Sequence, residues 1–184
     1  MPDKRRLPRI RARREREPSR LFRIEALDLE FSNGARRTYE RLLTSGLGAV
    51  IIVPLIDSEH VLLIREYACG VHRYEIGLPK GRLEPGETLH GGAQRELREE
   101  TGYGARSFTT LAELTLSPGY MTHVTHVVVA RDLYPARLPG DEPEEIEVIT
   151  WPLDDLAGLV ARDDCTEGRT LAALYIVRDL IRSR

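Results

Sequence analysis

Residues 81–103 read GRLEPGETLHGGAQRELREETGY, and they pose a contradiction. The spacing predicts a helix over 88–101, yet Gly91 and Gly92 stand side by side in its first half, each costing about 1 kcal/mol against alanine. At about 100° per residue, Ala93, Leu97 and Thr101 line one stripe that packs on a core. Glu96 and Glu100 lie beside that stripe at i, i+4, and Glu99 lies on its flank. Three carboxylates therefore meet where core gives way to solvent. Without a counter-charge they repel one another. Hard cations such as Mg²⁺ or Mn²⁺ favour clustered carboxylate oxygens of this kind. The competing reading is a solvated face of i, i+4 ion pairs, of which Arg95–Glu99 supplies one.

Working outward, LFRIEALDLEF and ARRTYERLL are two extended runs joined across Asn33-Gly34, a strong hairpin signal. GAVIIVPLI is a buried strand by its β-branched content, and HVLLIREYA is expected to pair with it across Asp57-Ser58-Glu59. FTTLAELTL, VTHVVVARDL and EIEVITWPL read as further strands. Helical patterns recur at 153–160 and 169–181, the second with Leu171, Leu174, Tyr175, Val177 and Leu180 on one broad apolar face. Many antiparallel strands with one central and one terminal helix predict a mixed α/β layer architecture. His123 and His126 fall on opposite faces of an extended segment and do not form a metal pair.

The chain has 184 residues, 41% of them hydrophobic, enough for one domain with a real core. No run approaches the roughly 20 apolar residues of a membrane span. The opening residues lack an apolar stretch, so a secretory signal is not expected. Two cysteines, Cys69 and Cys165, in no metal-type spacing, read as free thiols in a reducing compartment, the cytoplasm. Nine Lys/Arg against three Asp/Glu in the first 20 residues leave 18 against 26 in the rest. Residues 1–18 are expected to form a basic, solvated arm, or to dock on the chain's own acidic body. Residues 19–184 form the single domain, with a hairpin over 21–43 and a core over 47–184.

The spacing of the glutamates changes the odds between the two readings of the helix. The order is Gly81, five residues, Glu87, seven residues, Arg95-Glu96-Leu97, one residue, Glu99-Glu100, one residue, Gly102-Tyr103. Seven fixed identities, each at a background of roughly 7%, meet by chance about 10⁻⁸ times per window. The pattern resembles the signature of the Nudix hydrolases. It departs at Tyr103, a packing position that is usually aliphatic. SRLFRIEALDLEFSNGARRTYER, LIREYACG, SPGYMTHVTHVVVARDLYP, GDEPEE and WPL are similar to the subgroup of that family that hydrolyses ADP-containing compounds, and the likeness runs from Ser19 to about Arg182.

The resemblance implies an α/β fold: a Nudix-type α/β/α sandwich with a mixed, largely antiparallel sheet and an N-terminal β-hairpin extension. It implies Mg²⁺-dependent (or Mn²⁺-dependent) hydrolysis of a diphosphate linkage in compounds such as ADP-ribose, NADH or diadenosine polyphosphates, releasing AMP. Another nucleotide sugar, a capped RNA end or a non-catalytic binding module are the alternatives. Carried onto this sequence, Glu96 and Glu100 are direct metal ligands. Glu99 stands close behind them in a metal and catalytic role, and the Lys80 backbone carbonyl is a further ligand. Arg95 orients Glu87; Gly81, Glu87 and Gly102 shape the motif. Glu142 is the candidate general base and Glu144 an outer metal ligand, both on an acidic loop that alternatively is only solvated. Arg65, Glu75 and Tyr120 are substrate-binding candidates, Arg65 equally a surface ion pair. Gly92, one turn before Glu96, leaves room for a phosphate; Gly91 has no physical account. The N-terminal strands are expected to join two subunits in a homodimer. The partner is a small nucleotide, not a membrane and not nucleic acid.

Overall fold

The computed structural model describes residues 7–16, 18–19, 22–44, 48–140 and 142–183. The chain divides into two units, residues 1–45 with 115–123, and residues 46–114 with 124–184. In the first, β1 (Arg9–Glu15), β2 (Arg23–Glu30) and β3 (Arg36–Leu43) form an antiparallel sheet in the order β1-β2-β3. The hairpin lies where Asn33-Gly34 put it. Gly34 takes a φ of +80°, and the Asn33 side chain accepts from the Ala35 N–H at 3.0 Å. The segment after 115 joins the same unit, because Leu42 N–H donates to the Tyr120 carbonyl at 2.7 Å.

The arm was expected over 1–18 either as a solvated tail or docked on the chain's own acids. Arg9–Glu15 is a strand whose arginines meet acids of their own unit, in keeping with the docked alternative. Arg13 reaches Glu25 at 3.6 Å, Arg14 pairs with Asp28, Arg16 with Glu40, and Glu15 receives Arg23 at 2.9 Å. Each exposed pair contributes little, but the β1–β2 ladder places them in register. Arg-rich composition reads as a tail only until the complementary acids on β2 are lined up beside it.

In the second unit, β4 (Ala49–Pro54) is central. It pairs antiparallel with β7 (Lys80–Arg82) and parallel with β9 (Val124–Pro135), and β8 (Tyr103–Thr115) lies beyond β9. A separate antiparallel sheet runs β10 (Glu147–Pro152), β5 (His60–Ala68), β6 (Arg73–Gly77). The expected β4–β5 hairpin ladder does not form; the two strands share only an isolated bridge, Leu55 to Val61. Both hydrogen-bonding edges of β4 are already taken by β7 and β9, so β5 turns to β6 and β10.

β4 is apolar at consecutive positions because both faces of its sheet are covered. Val50 and Ile52, with Val128 and Ala130 of β9, pack on Ala93 and Leu97 of α1 (Leu89–Thr101). Ile51 and Val53, with Val127 and Val129, face the other way. They meet α2 (Leu156–Val160), which follows a short 3₁₀ turn at Leu153–Asp155, and α3 (Gly168–Arg182) through Leu156, Leu159, Ala173, Leu174 and Val177. This is the expected α/β/α layering. Leu97 is fully buried, so Leu97→Ala costs about 3 kcal/mol. The layering fixes which way α1 turns: its apolar stripe seats on β4, and its carboxylates fall along the line where α1 meets β7.

Candidate active site

Helix α1 begins at Thr88, whose hydroxyl accepts the Gly91 N–H at 3.0 Å, and ends at Gly102, left-handed at φ +80° with its N–H on the Arg98 carbonyl. Both glycines in its first half now have reasons. A β-carbon on Gly91 would stand 3.0 Å from the capping hydroxyl of Thr88. A β-carbon on Gly92 would collide with Leu83 and stand 3.1 Å from Glu87 Oε2. Gly92 therefore admits the loop between β7 and α1 onto the helix. That corrects the expectation that it leaves room for a phosphate.

Glu96 and Glu100 are 9% and 8% exposed, one turn apart. Glu96 rests in the space that a side chain at Gly81 would occupy, so the glycine that opens the signature is the seat of its first buried carboxylate. Arg95 holds the cluster together. Its Nε donates to Glu87 Oε1 at 2.8 Å, its Nη1 to Glu96 at 2.8 Å and Glu99 at 2.9 Å, and its Nη2 to the Arg82 carbonyl at 3.0 Å. The hydrogen bond from Arg95 keeps the Glu87 carboxyl below the ordinary range, and Glu87 foremost raises the Arg95 guanidinium. Arg95 thus contacts Glu87, the glutamate it was expected to orient.

The two buried carboxyls shift the same way, each against a different cation. Burial raises Glu96 above the ordinary carboxylate range against the pull of Arg95, and burial pushes Glu100 up to about 8 against the pull of Lys80. Glu100 Oε2 accepts the backbone N–H of Lys80 at 2.9 Å. Burial would lower the Lys80 ammonium, but Glu66, with Glu100 and Glu167 behind it, holds it above its usual value.

The donor set is hard oxygen, two of its carboxylates buried, which fits a divalent cation. As they stand, no three carboxylates or histidines among the described residues are gathered round one point. Arg95 draws Glu96 and Glu99 to itself, and the Lys80 amide takes Glu100.

The remaining candidates fare unequally. Arg65 lies in two ion pairs, with Nε 3.1 Å from Glu147 and Nη1 3.1 Å from Asp164. Glu75 accepts the Thr166 N–H and hydroxyl at 3.0 Å each and pairs with Arg73. It fastens β6 to the segment before α3, which leaves a substrate role without support. Tyr120 is exposed, in the first unit. The acidic loop after β9 docks on the end of α1. Leu138 N–H donates to the Arg98 carbonyl at 3.2 Å, Arg98 Nε to the Ala136 carbonyl at 2.8 Å, and Gly140 lies against Glu99. Glu142 is therefore carried on a loop beside the carboxylate helix. Glu144 accepts from the Tyr74 hydroxyl.

Sequence reasoning missed the Lys80 side chain and Glu167, and Glu66, which pairs with that side chain, belongs with them. Glu167 accepts from Thr170, whose hydroxyl also receives the Leu78 N–H at 3.2 Å, so α3 is tied to the loop that leads into β7. No motif spacing could have found these three, because they come from β5, β7 and the start of α3.

Layering of this kind, with a glutamate helix seated on a glycine and a central arginine, defines the class: the chain belongs to the Nudix hydrolase family, its residues 47–173 matching the NUDIX domain. Residues 8–41 match a NudE-type Nudix hydrolase N-terminal domain. The likeness thus reaches past Ser19 into the arm and includes β1. The chain is 46% identical to the ADP compounds hydrolase NudE of Escherichia coli K12 over 90% of its length and 89% of that protein's. It is 30% identical to an ADP-ribose pyrophosphatase of Bacillus subtilis strain 168 over 82% of each. It also resembles a crystal structure of an ADP compounds hydrolase, with a TM-score of 0.91 and 44% identity over 98% of this chain and 97% of that one.

Proposed function

We propose that this chain is a Mg²⁺-dependent hydrolase that cuts the diphosphate of ADP-containing compounds (ADP-ribose, NADH and diadenosine polyphosphates) and releases AMP. The observation that carries the reading is the buried pair Glu96 and Glu100, one turn apart on a helix that faces β7. The names of the relatives and the match over residues 8–41 support the ADP class.

Glu96, Glu100, Glu99 and the Lys80 carbonyl would hold the cation, which when bound neutralises the diphosphate and activates water. Arg95 keeps Glu87, Glu96 and Glu99 on one side of the helix, so the ligands do not have to be gathered from solvent when the cation arrives. Glu142, on the loop docked against α1, would accept the proton of the attacking water. The water oxygen bonds to one phosphorus, the bond from that same phosphorus to the bridging oxygen breaks, and the bridging oxygen departs with the other phosphate, giving AMP and a second phosphate ester. Glu144, which accepts from the Tyr74 hydroxyl, would serve as an outer ligand of the cation.

We place the enzyme in the cytoplasm, where an exposed thiol such as Cys69 stays reduced, and as a homodimer through the N-terminal strands. Exposed Ile10, Phe22 and Tyr39 on that unit support a second copy as its partner. Arg13, Arg14 and Arg16 are engaged with acids of their own unit, which favours a small nucleotide over an RNA end. An AMP-release assay across ADP-ribose, NADH and diadenosine triphosphate tests the substrate class; release from none of them with Mg²⁺ present would sink it. Sedimentation at micromolar concentration tests the dimer, and a monomer would count against it.

A further inference from the structure

Lys80 is attached to the carboxylate site by both of its ends. Its backbone N–H donates to Glu100 Oε2 at 2.9 Å, and its Nζ pairs with Glu66 of β5. The two paired side chains are 24% and 22% exposed, so this is not a solvent-separated surface pair. The ammonium also feels Glu100 and Glu167, and Glu66 in turn acts on Glu100 as a like charge. Arg95 bonds Glu87, Glu96 and Glu99, while the Lys80 ammonium pairs with Glu66 and its backbone N–H holds Glu100. Glu167, close enough to act on the ammonium, has its own partners in Arg169 and Thr170. Because β5 and β7 belong to different sheets, the Lys80–Glu66 pair also bridges those sheets at the edge of the site.

We propose that Lys80 is the resident counter-cation of the Glu66 and Glu100 side of the site, a positioning residue whose charge sets how tightly a divalent cation is held. The proposal rests on the metal-dependent reading above and adds to it a residue that acts through its side chain, whatever its carbonyl does. A fixed positive charge this close opposes an incoming dication, and its removal leaves Glu66 without its partner and Glu100 without that counter-charge. At the effective dielectric of a partly buried site, losing that charge strengthens divalent binding by about tenfold or more. Without metal, the same loss leaves like charges facing one another and weakens the fold.

Calorimetric titration of the full chain with Mg²⁺ and with Mn²⁺, no nucleotide present, reads the effect directly. Melting curves in EDTA and in Mg²⁺ give a second readout. Lys80→Met should bind both ions about tenfold tighter, melt lower in EDTA, and gain more from Mg²⁺ than the wild type. Lys80→Arg, which keeps the charge, should behave as wild type. Glu66→Gln frees the ammonium to turn on Glu100 and should bind the ions more weakly. Equal affinity of Lys80→Met and wild type, or Lys80→Arg behaving like Lys80→Met, overturns the inference while leaving the metal site standing. A wild-type protein that binds neither ion overturns the metal reading and this inference with it.

Discussion

Gly81 and Glu96 share a space that only one side chain can fill: a β-carbon at position 81 would stand inside the Glu96 carboxylate. The obstruction is the far end of a flexible side chain, and Glu96 can swing away. Gly81→Ala should therefore fold, with a melting temperature near wild type, and lose activity by at least about 100-fold because a ligand carboxylate has moved. Circular dichroism and an AMP-release assay on the same preparation check this. Loss of the fold would show instead that β7 itself cannot take a side chain there.

Glu100 should give the metal-free protein an inverted pH dependence. Its folded value, about 8, lies above the ordinary carboxylate value, so the folded state binds that proton more tightly than the unfolded state does. The contribution is full below the unfolded value near 4.5 and is lost as pH rises toward 8, on the order of a few kcal/mol in all. In EDTA, Glu100→Gln should melt above wild type at pH 8 and close to it at pH 5. The same variant should release no AMP at any pH with Mg²⁺. A wild-type rate would refute the assignment of Glu100 as a ligand.

Arg95 is the single group that joins Glu87, Glu96 and Glu99. Removing it leaves three carboxylates, two of them bonded to one nitrogen, without their partner. Arg95→Ala should cost about 3 kcal/mol in urea unfolding without metal, since breaking a mostly buried pair strands the opposite charge. Arg95→Lys should recover only part of this, because one ammonium cannot replace a planar fork serving three acceptors. Full recovery would mean that charge alone, not the fork, organises the cluster.

The two thiols should separate cleanly. Cys69 is exposed, whereas Cys165 is buried among β5, β6 and α3 neighbours, and burial pushes its thiol up to about 11. A thiol reagent at pH 8 should label one cysteine rapidly in the native protein and two after denaturation. Cys69→Ser should abolish the rapid phase; fast labelling that survives this substitution would place Cys165 at the surface.

Several elements were legible in the residues themselves. The helix over 88–101, the Asn33-Gly34 hairpin, the buried strand at 49–54 and the terminal helix at 168–182 each carry a local signal: a periodicity, a turn residue, a β-branched run. The short strands β6 and β7 carry none, since three to five residues give no period to read. β1 was hidden for a different reason. RIRARRE looks solvated until Glu25 and Asp28 of β2 stand beside it. β4 and β5 look like a hairpin from Asp57-Ser58-Glu59, and only the occupation of both β4 edges by β7 and β9 rules that out.

The sequence by itself determined the chemistry: glutamates at 96, 99 and 100 around Arg95, opened by Gly81 and closed by Gly102, because spacing on a helix fixes which side chains share a face. Tertiary structure alone decided how those charges are balanced. Lys80 and Glu66 come from strands of different sheets, and Glu167 from the turn into α3. It also decided what the glycine pair is for, since Leu83, Glu87 and Thr88 lie against α1 at those two positions. Electrostatic balance depends on distances between segments remote in sequence, and no local pattern encodes those.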